Sequence, residues 1–295
     1  MCIRDSSSND EKKTNYFDFV PEESDSIIGE RVKTIESDLP ITYNKTVQGF
    51  INYFAIRNRD YTRKMLKRSE MYFPLFEEEL KKQNLPIALK YLTIVESGID
   101  PRAKSHAGAL GLWQFMPSTG KMYKLDYDWY IDERMSPYKS TEAACNYLKA
   151  LHGMFNDWEL ALAAYNCGPG NVRRAIRRSG YKETFWEIYN YLPKETRSYV
   201  PQFMAVNYVM RFAAEHNLFV EEEEIKSLPT TDTLLVNQYL NLEVFSKELN
   251  ICLDDLLDLN PDIKRNVIPA HLTIFKLLVP AKKMTFLQNN LDSIL

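Results

Sequence analysis

Apolar residues recur at helical spacing in the first third of the chain. Between about Thr46 and Leu80 they return every three to four positions, with charged residues on the other faces. This spacing predicts two or three amphipathic helices. Residues 1–40 are acidic and mixed and show no such period. We expect 1–40 to be a disordered or loosely ordered lead-in and 41–84 to be a helical N-terminal extension.

The segment Pro86–Gly98 is almost wholly apolar and is predicted to form one helix, since proline suits a first helical turn and glycine suits the residue after a helix. Glu96 then falls in the last turn, where the helix dipole disfavours an anion. Both the dipole and burial would raise the pKa of this carboxyl group. A carboxyl group that stays protonated near neutral pH can act as a general acid. A helix-end glutamate that simply reaches solvent is the alternative interpretation.

Three further segments carry candidate chemistry. Glycines and aromatic residues surround Gln114, a mixture that suits a sugar with apolar ring faces and a polar rim. Asp157 is predicted to cap a helix that ends at Tyr165 and Asn166, just before a glycine turn. Tyr199 lies at the start of another apolar helix.

Composition excludes several classes of protein. The chain has 295 residues, 45% of them hydrophobic and 26% charged, with a formal net charge of −3, which is ordinary for a globular protein and argues against a nucleic-acid binder. The longest apolar stretch, Tyr199–Met210, is too short to span a membrane. Residues 1–14 lack the apolar run of a signal peptide. We expect a signal sequence or lipid anchor outside this sequence to provide any membrane association.

Four strings, in their order along the chain, resemble the soluble lytic transglycosylases of bacteria, which have a lysozyme-like catalytic domain. The arrangement is most similar to the membrane-bound murein transglycosylase D type, in which LysM repeats follow that domain. The resemblance implies a catalytic domain over residues 85–215. The strings are Glu96-Ser97, Gly111-Leu112-Trp113-Gln114-Phe115, Ala164-Tyr165-Asn166-Cys167-Gly168 and the late Tyr199.

The resemblance implies one catalytic residue, Glu96. It would protonate the glycosidic oxygen between N-acetylmuramic acid and N-acetylglucosamine. As a carboxylate it would then take the proton of the muramic acid C6 hydroxyl, which closes a 1,6-anhydro ring without consuming water. Neither a metal nor another cofactor is implied. The implied substrate-binding residues are Ser97, Ser105, Gln114, Phe115, Tyr165, Asn166 and Tyr199.

Most glycosidases need two carboxylates, and the sequence offers no obvious second one. We interpret the four aspartates nearest to the catalytic strings as turn and surface residues. They are Asp100, Asp126, Asp128 and Asp132.

From Val236 to Pro280 the pattern predicts strand, helix, helix and strand, and the string Leu259-Asn260-Pro261 resembles a LysM domain. The usual Gly-Asp-Thr is missing around Tyr239, and Pro269-Ala270-His271 replaces the usual Pro-Gly-Gln. We therefore expect a degenerate LysM-like module over residues 228–283, with glycan binding or a packing role both open.

The predicted fold is mainly α, or α+β of the lysozyme-like kind. It comprises the helical N-terminal extension, the lysozyme-like catalytic domain and a small βααβ C-terminal module. The resemblance implies a monomeric enzyme of the periplasm or outer membrane that acts on peptidoglycan glycan strands and not on nucleic acid. The alternatives are a muramidase that hydrolyses the same bond and a non-catalytic cell-wall-binding scaffold.

Overall fold

The computed structural model describes residues 19–21, 23–35, 39, 41–220, 229–272 and 274–294. Its elements, in chain order, are α1 (Asp25–Lys33), α2 (Lys45–Asn52), α3 (Arg59–Lys82), α4 (Leu92–Ser97), α5 (Pro117–Met122), α6 (Pro137–Phe155), α7 (Trp158–Cys167), α8 (Pro169–Arg178), α9 (Phe185–Ile188), α10 (Lys194–Arg211), β1 (Thr231–Val236), β2 (Leu240–Asn241), α11 (Leu242–Glu248), α12 (Leu253–Leu259), β3 (Val267–Ile268), β4 (Phe275–Pro280) and α13 (Met284–Ile294).

These residues form two compact units. The first unit consists of the described residues of Tyr16–Ile99 and Thr141–Lys226. The second unit consists of those of Asp100–Ser140 and Ser227–Leu295. Each unit is therefore built from two stretches that are far apart in sequence.

Helix α10 is the central element of the first unit and packs against α2, α4 and α7. Most of its residues are buried, among them Val200, Phe203 and Val206. The facing part of α7 carries Ala161, Ala163 and other small or apolar residues, all buried. Small side chains let α7 and α10 approach closely. Hydrogen bonds from the first turns of α10 reach the ends of α4 and α7, so these three helix ends lie close together in this unit.

Part of the predicted lead-in is ordered, so the prediction of a loose 1–40 segment is wrong for Asp25–Lys33, which forms α1. The Ser24 side chain accepts a hydrogen bond from the Ile27 amide and caps the helix. Ile28 and Val32, four residues apart, are buried. Residues 1–18, 22, 36–38 and 40 lie outside the described residues.

The helices predicted between residues 46 and 80 are confirmed as α2 and α3, joined by a π-helical turn at Tyr53–Arg57. The prediction of a single helix over residues 86–98 is wrong, because a 3-10 helix at Ile87–Tyr91 precedes the short α4. The Thr93 hydroxyl donates to the Lys90 carbonyl at 2.8 Å where the two meet, and such local bonds compete with regular helix geometry.

The C-terminal part of the second unit has the predicted strand, helix, helix and strand, since β1 and β4 pair antiparallel and α11 and α12 lie between them in sequence. A short second pair, β2 with β3, was not predicted. We call the described residues 229–294 the C-terminal module. Its hydrophobic core includes Val236, Phe245 and Leu277, and also Ile131 from the earlier stretch.

This grouping differs from the consecutive segments expected from sequence. Residues 41–84 pack with residues 141–220, while residues 100–140 pack with the C-terminal module. The two-stranded sheets of that module need a further apolar surface, which Ile131 and its neighbours supply. The predicted domain boundaries themselves stay a prediction.

Among the described helices, none combines the length and the apolar character needed to cross a bilayer.

Asn260 of the Leu-Asn-Pro string forms hydrogen bonds that join the end of α12 to β4. We predict that Asn260→Ala weakens the packing of α12 against β4. The buried amide donates to the Leu256 and Leu278 carbonyls and accepts from the Leu278 amide, each at 2.8 Å. Its loss removes these partners from the partly buried amide and carbonyl of Leu278, at a cost of about 1 kcal/mol. Hydrogen exchange at the Leu278 amide should therefore accelerate.

The control for this substitution is Lys276→Ala, which removes an exposed side chain from the same strand. It should leave exchange at Leu278 unchanged. Equal exchange rates at Leu278 in the wild type and the Asn260→Ala protein would contradict the hydrogen bonds assigned to Asn260.

Candidate active site

Glu96 occupies the penultimate position of α4, at the end where the chain turns through Gly98. The Gly98 backbone is left-handed, with φ at 61°, and a Cβ there would lie 3.1 Å from the Tyr61 hydroxyl oxygen. That hydroxyl donates to the Ile94 carbonyl at 2.9 Å, and Arg68 donates to the Gly98 carbonyl at 2.6 Å. Side chains of α3 therefore hold the carbonyl groups at this helix end and fix the turn that follows Glu96.

Burial raises the pKa of the Glu96 carboxyl group to about 7. Loss of hydration is the largest cause, the hydrogen bond from Tyr199 opposes it, and the negative charge of Glu195 adds to it. Glu96 as a residue is only partly buried, so the effect comes from the surroundings of the carboxyl group itself. At neutral pH this group is close to half protonated, which suits an acid that later acts as a base.

Tyrosines surround the Glu96 carboxyl group. Tyr199 of α10 donates its hydroxyl hydrogen to Glu96 Oε1. Tyr165 of α7 is close enough for the charge of Glu96 to raise the pKa of its hydroxyl group. The Tyr165 ring lies 5.2 Å from the ring of Tyr147, measured between centroids. Burial and the neighbouring carboxylate raise the pKa of Tyr165 and Tyr199 well above the ordinary value. Both phenols therefore stay protonated and can serve as hydrogen-bond donors.

Two more predicted residues of the first unit have defined partners. The Asn166 side-chain carbonyl accepts from the Thr196 hydroxyl at 2.7 Å, which links the end of α7 to the start of α10. The Ser97 hydroxyl donates to the Thr93 carbonyl within α4, at 3.0 Å. Asn166 thus helps to hold the helix that carries Tyr199.

Ser105, Gln114 and Phe115 belong to the second unit and form part of one loop system there. Gln114 has a left-handed backbone, with φ at 49°, and its Nε2 donates to the carbonyls of Ala103 and Gly111, each at 2.9 Å. The Ser105 hydroxyl accepts from the Ala109 amide at 2.9 Å. Phe115 is 2% exposed, which supports a packing role for its ring.

Three of the four aspartates considered for a second catalytic carboxylate have side-chain partners in the second unit, and the fourth, Asp126, is exposed as expected of a surface residue. Asp100 and Asp128 accept backbone amides two or three residues ahead, as expected of turn residues. Asp132 was interpreted as a surface residue, and this is wrong. It is 3% exposed and forms a buried ion pair with Arg134 at 2.7 Å.

Sequence reasoning did not single out several residues that the structure places around Glu96. Tyr147 lies in α6 outside the four strings, yet its ring contacts Tyr165. Tyr61, Arg68 and Thr196 come from α3 and α10 and carry no motif. Their role depends on contacts between helices, which spacing along the chain does not reveal.

In the described part of the chain, no three His, Cys, Asp or Glu side chains cluster in a way that could hold a metal ion. The expectation that the chain uses no metal stays a prediction.

Comparison with known proteins places two domains on this chain. Residues 73–188 match the Transglycosylase SLT domain, and residues 230–295 match the LysM-like domain of the lytic transglycosylase MltD. The chain therefore carries an SLT domain followed by an MltD-type LysM-like domain, which confirms the resemblance. The described helices and the two short antiparallel sheets confirm the mainly helical fold class. The matched ranges differ from the predicted segments 85–215 and 228–283.

The chain is similar to membrane-bound lytic murein transglycosylase D of Escherichia coli strain K12, with 38% identity over 181 residues, 60% of this chain and 38% of the relative. It is 31% identical over 123 residues to the soluble lytic murein transglycosylase of the same strain, which covers 40% of this chain and 19% of that relative. This chain thus spans well under half the length of either relative.

Among solved structures, the 70 kDa soluble lytic transglycosylase SLT70 of Escherichia coli matches with a TM-score of 0.42 and 27% identity. The match covers 53% of this chain and 26% of that chain.

We predict that Tyr199→Phe raises the pKa of Glu96 further above 7. The Tyr199 hydroxyl donates to the ionised carboxylate and is the main cause that lowers this pKa, so its removal favours the protonated form. Infrared difference titration of the carboxyl group, with Glu96→Gln as the subtracted reference, measures the change.

Tyr208→Phe is the matched control, since Tyr208 is also buried in α10 but its hydroxyl lies 3.1 Å from His216 Nε2 instead. The Glu96 titration should be the same as in the wild type. A Glu96 titration midpoint in Tyr199→Phe at or below that of the wild type would refute the hydrogen bond assigned between Tyr199 and Glu96.

Proposed function

We propose that this chain is a peptidoglycan lytic transglycosylase in which Glu96 is the single catalytic acid and base. The observation that carries the proposal is the Glu96 carboxyl group, which lies in the range matched to the SLT domain. It is dehydrated, has a pKa of about 7 and accepts a hydrogen bond from Tyr199. An ordinary exposed glutamate is ionised at neutral pH and is a poor proton donor.

In the first step the protonated Glu96 gives its proton to the glycosidic oxygen, and the bond from that oxygen to C1 of N-acetylmuramic acid breaks. In the second step the C6 hydroxyl oxygen of the same sugar bonds to C1, and its proton returns to Glu96. The products are a free N-acetylglucosamine hydroxyl and a 1,6-anhydro ring. Glu96 ends protonated, and no water is consumed.

The neighbours of Glu96 support both steps. The Tyr199 hydroxyl orients the carboxyl group and stabilises it while it is ionised between the two proton transfers. Tyr165 stays protonated and adds a second donor near the same charge. One carboxylate is enough in this scheme because the nucleophile belongs to the substrate, whereas a hydrolase needs a second group to activate water.

We propose that Ser97, Ser105, Gln114 and Asn166 contact the sugar chain. The Phe115 ring is buried, and its backbone amide and carbonyl bond Leu110. We therefore propose that Phe115 supports substrate binding by packing under the neighbouring Gln114.

We also propose action in the cell envelope, where peptidoglycan lies. The support is the match to the LysM-like domain of MltD and the similarity to a relative named as membrane-bound. The monomeric state stays a prediction.

The test is mass spectrometry of the fragments that the full chain releases from purified peptidoglycan. We expect fragments lighter by one water at the muramic acid end, and a rate reduced by about 10²–10⁴-fold in Glu96→Gln, the usual contribution of general acid–base catalysis. Reducing ends instead of anhydro ends would indicate a muramidase. No release by the wild type would contradict an enzyme of either kind.

Glu159→Gln is a matched control. Burial also raises the pKa of Glu159 to about 7, and its carboxylate accepts from the Thr42 hydroxyl at 3.0 Å at the other end of α7. This substitution removes a comparable buried carboxyl group but should leave the products and the rate unchanged. An equal loss of rate in both variants would show that the effect comes from impaired folding and not from a lost proton transfer.

A further inference from the structure

Arg134 is a buried cation in the second unit, with 7% of its surface exposed. Its Nε donates to Asp132 Oδ1 at 2.9 Å and its Nη2 to Asp132 Oδ2 at 2.7 Å, so the two side chains form a two-point ion pair. Such a pair has a fixed geometry as well as a charge partner. A buried ion pair contributes little net stability in general, so its presence calls for another role.

The remaining guanidinium nitrogen of Arg134 holds the loop that carries Gln114. Nη1 donates to the Gly108 carbonyl at 3.1 Å and to the Phe115 carbonyl at 3.3 Å. We call residues 108–115 the Gln114 loop. Arg134 thus bonds both ends of the loop at once.

Gly111 brings the middle of the loop to the backbone of Arg134. Its φ is 87°, and a Cβ at this position would lie 2.0 Å from the Arg134 carbonyl oxygen. Only glycine fits so close an approach. The Gln114 amide in turn donates to the Gly111 carbonyl, so the backbone of Arg134 supports the turn that presents Gln114.

The segment that carries Arg134 is attached to the C-terminal module. The Asp132 amide donates to the Asp262 carbonyl at 2.9 Å, and Ile131 forms a backbone bridge with Ile263. Both isoleucines lie in the core of the module, each 4% exposed.

Two more contacts join the module to the residues just before Asp132. The Lys264 amide donates to the Tyr130 carbonyl at 2.7 Å, and His271 lies 2.9 Å from the Asp128 carboxylate. A continuous series of contacts therefore runs from the module through Asp132 and Arg134 to the Gln114 loop.

We propose that the C-terminal module is a scaffold that positions the Gln114 loop for sugar binding, and that Arg134 is the positioning residue through which it does so. The relation to substrate rests on the function proposed above, whereas the structural coupling does not.

The first measurement is the affinity of full-length Glu96→Gln protein for purified, uncrosslinked glycan strands, by calorimetry. Arg134→Lys keeps the charge but loses the planar fork that reaches Asp132 and the loop together. We expect about tenfold weaker binding, which corresponds to the loss of about one hydrogen bond between the loop and the sugar. Arg265→Lys, a change at an exposed arginine of the same unit, should leave the affinity unchanged.

The second measurement separates positioning from loss of stability. Ile263→Ala and Leu256→Ala each shorten a buried side chain of the same core, but only Ile263 bridges to the segment that carries Arg134. Hydrogen exchange at the Leu110 and Phe115 amides, which bond each other's carbonyls at 3.2 Å, should accelerate several-fold in Ile263→Ala and in Arg134→Lys. It should stay near the wild-type rate in Leu256→Ala.

These outcomes distinguish the two proposals. Unchanged exchange at Leu110 and Phe115 in Ile263→Ala and Arg134→Lys would overturn the scaffold, whatever the activity. Faster exchange with unchanged glycan affinity would overturn the link to sugar binding. If the wild type releases no product and the Glu96→Gln protein binds no glycan, the proposed function fails, while the exchange data still decide the structural coupling.

Discussion

The loss of water around one carboxyl group, that of Glu96, is the constraint on which the first unit depends. Helix α4 ends there with its negative pole, α10 supplies Tyr199, and α7 supplies Tyr165. The folded protein holds a proton on Glu96 that an unfolded chain releases between about pH 4.5 and 7, so stability is lost as pH rises through that range. Functional sites commonly carry such a local cost, and the buried contacts of α10 with α2 and α7 offset it.

The second unit shows a different use of buried charge. Asp132 and Arg134 satisfy one another, and the remaining donors of the guanidinium bond the carbonyls of Gly108 and Phe115. A lysine has no planar fork and could not make these bonds in the same directions. The ion pair therefore defines the shape of a loop, a role in which geometry matters more than net energy.

Local features were predictable from sequence, and features that depend on distant contacts were not. The Gly98 turn and the Asp157 cap were predicted correctly because a few neighbouring residues determine them. The 3-10 helix before α4 and the helix α1 were not predicted from the sequence. Asp132 looked like a surface residue because charge usually indicates exposure, but Arg134, two residues on, pairs with it in the interior. Tyr147 was not among the predicted site residues, because its contact with Tyr165 depends on how α6 packs against α7 and not on spacing along the chain.

The central claim is that Glu96 donates a proton at neutral pH from a carboxyl group with a raised pKa. The most direct test is the dependence of kcat/KM on pH, with the full chain and purified glycan strands. The rate should fall as pH rises, with a midpoint near 7, because ionisation of Glu96 removes the acid. A fall that begins near pH 4–5, where an ordinary glutamate ionises, or a rate that does not fall above pH 7, would contradict the account.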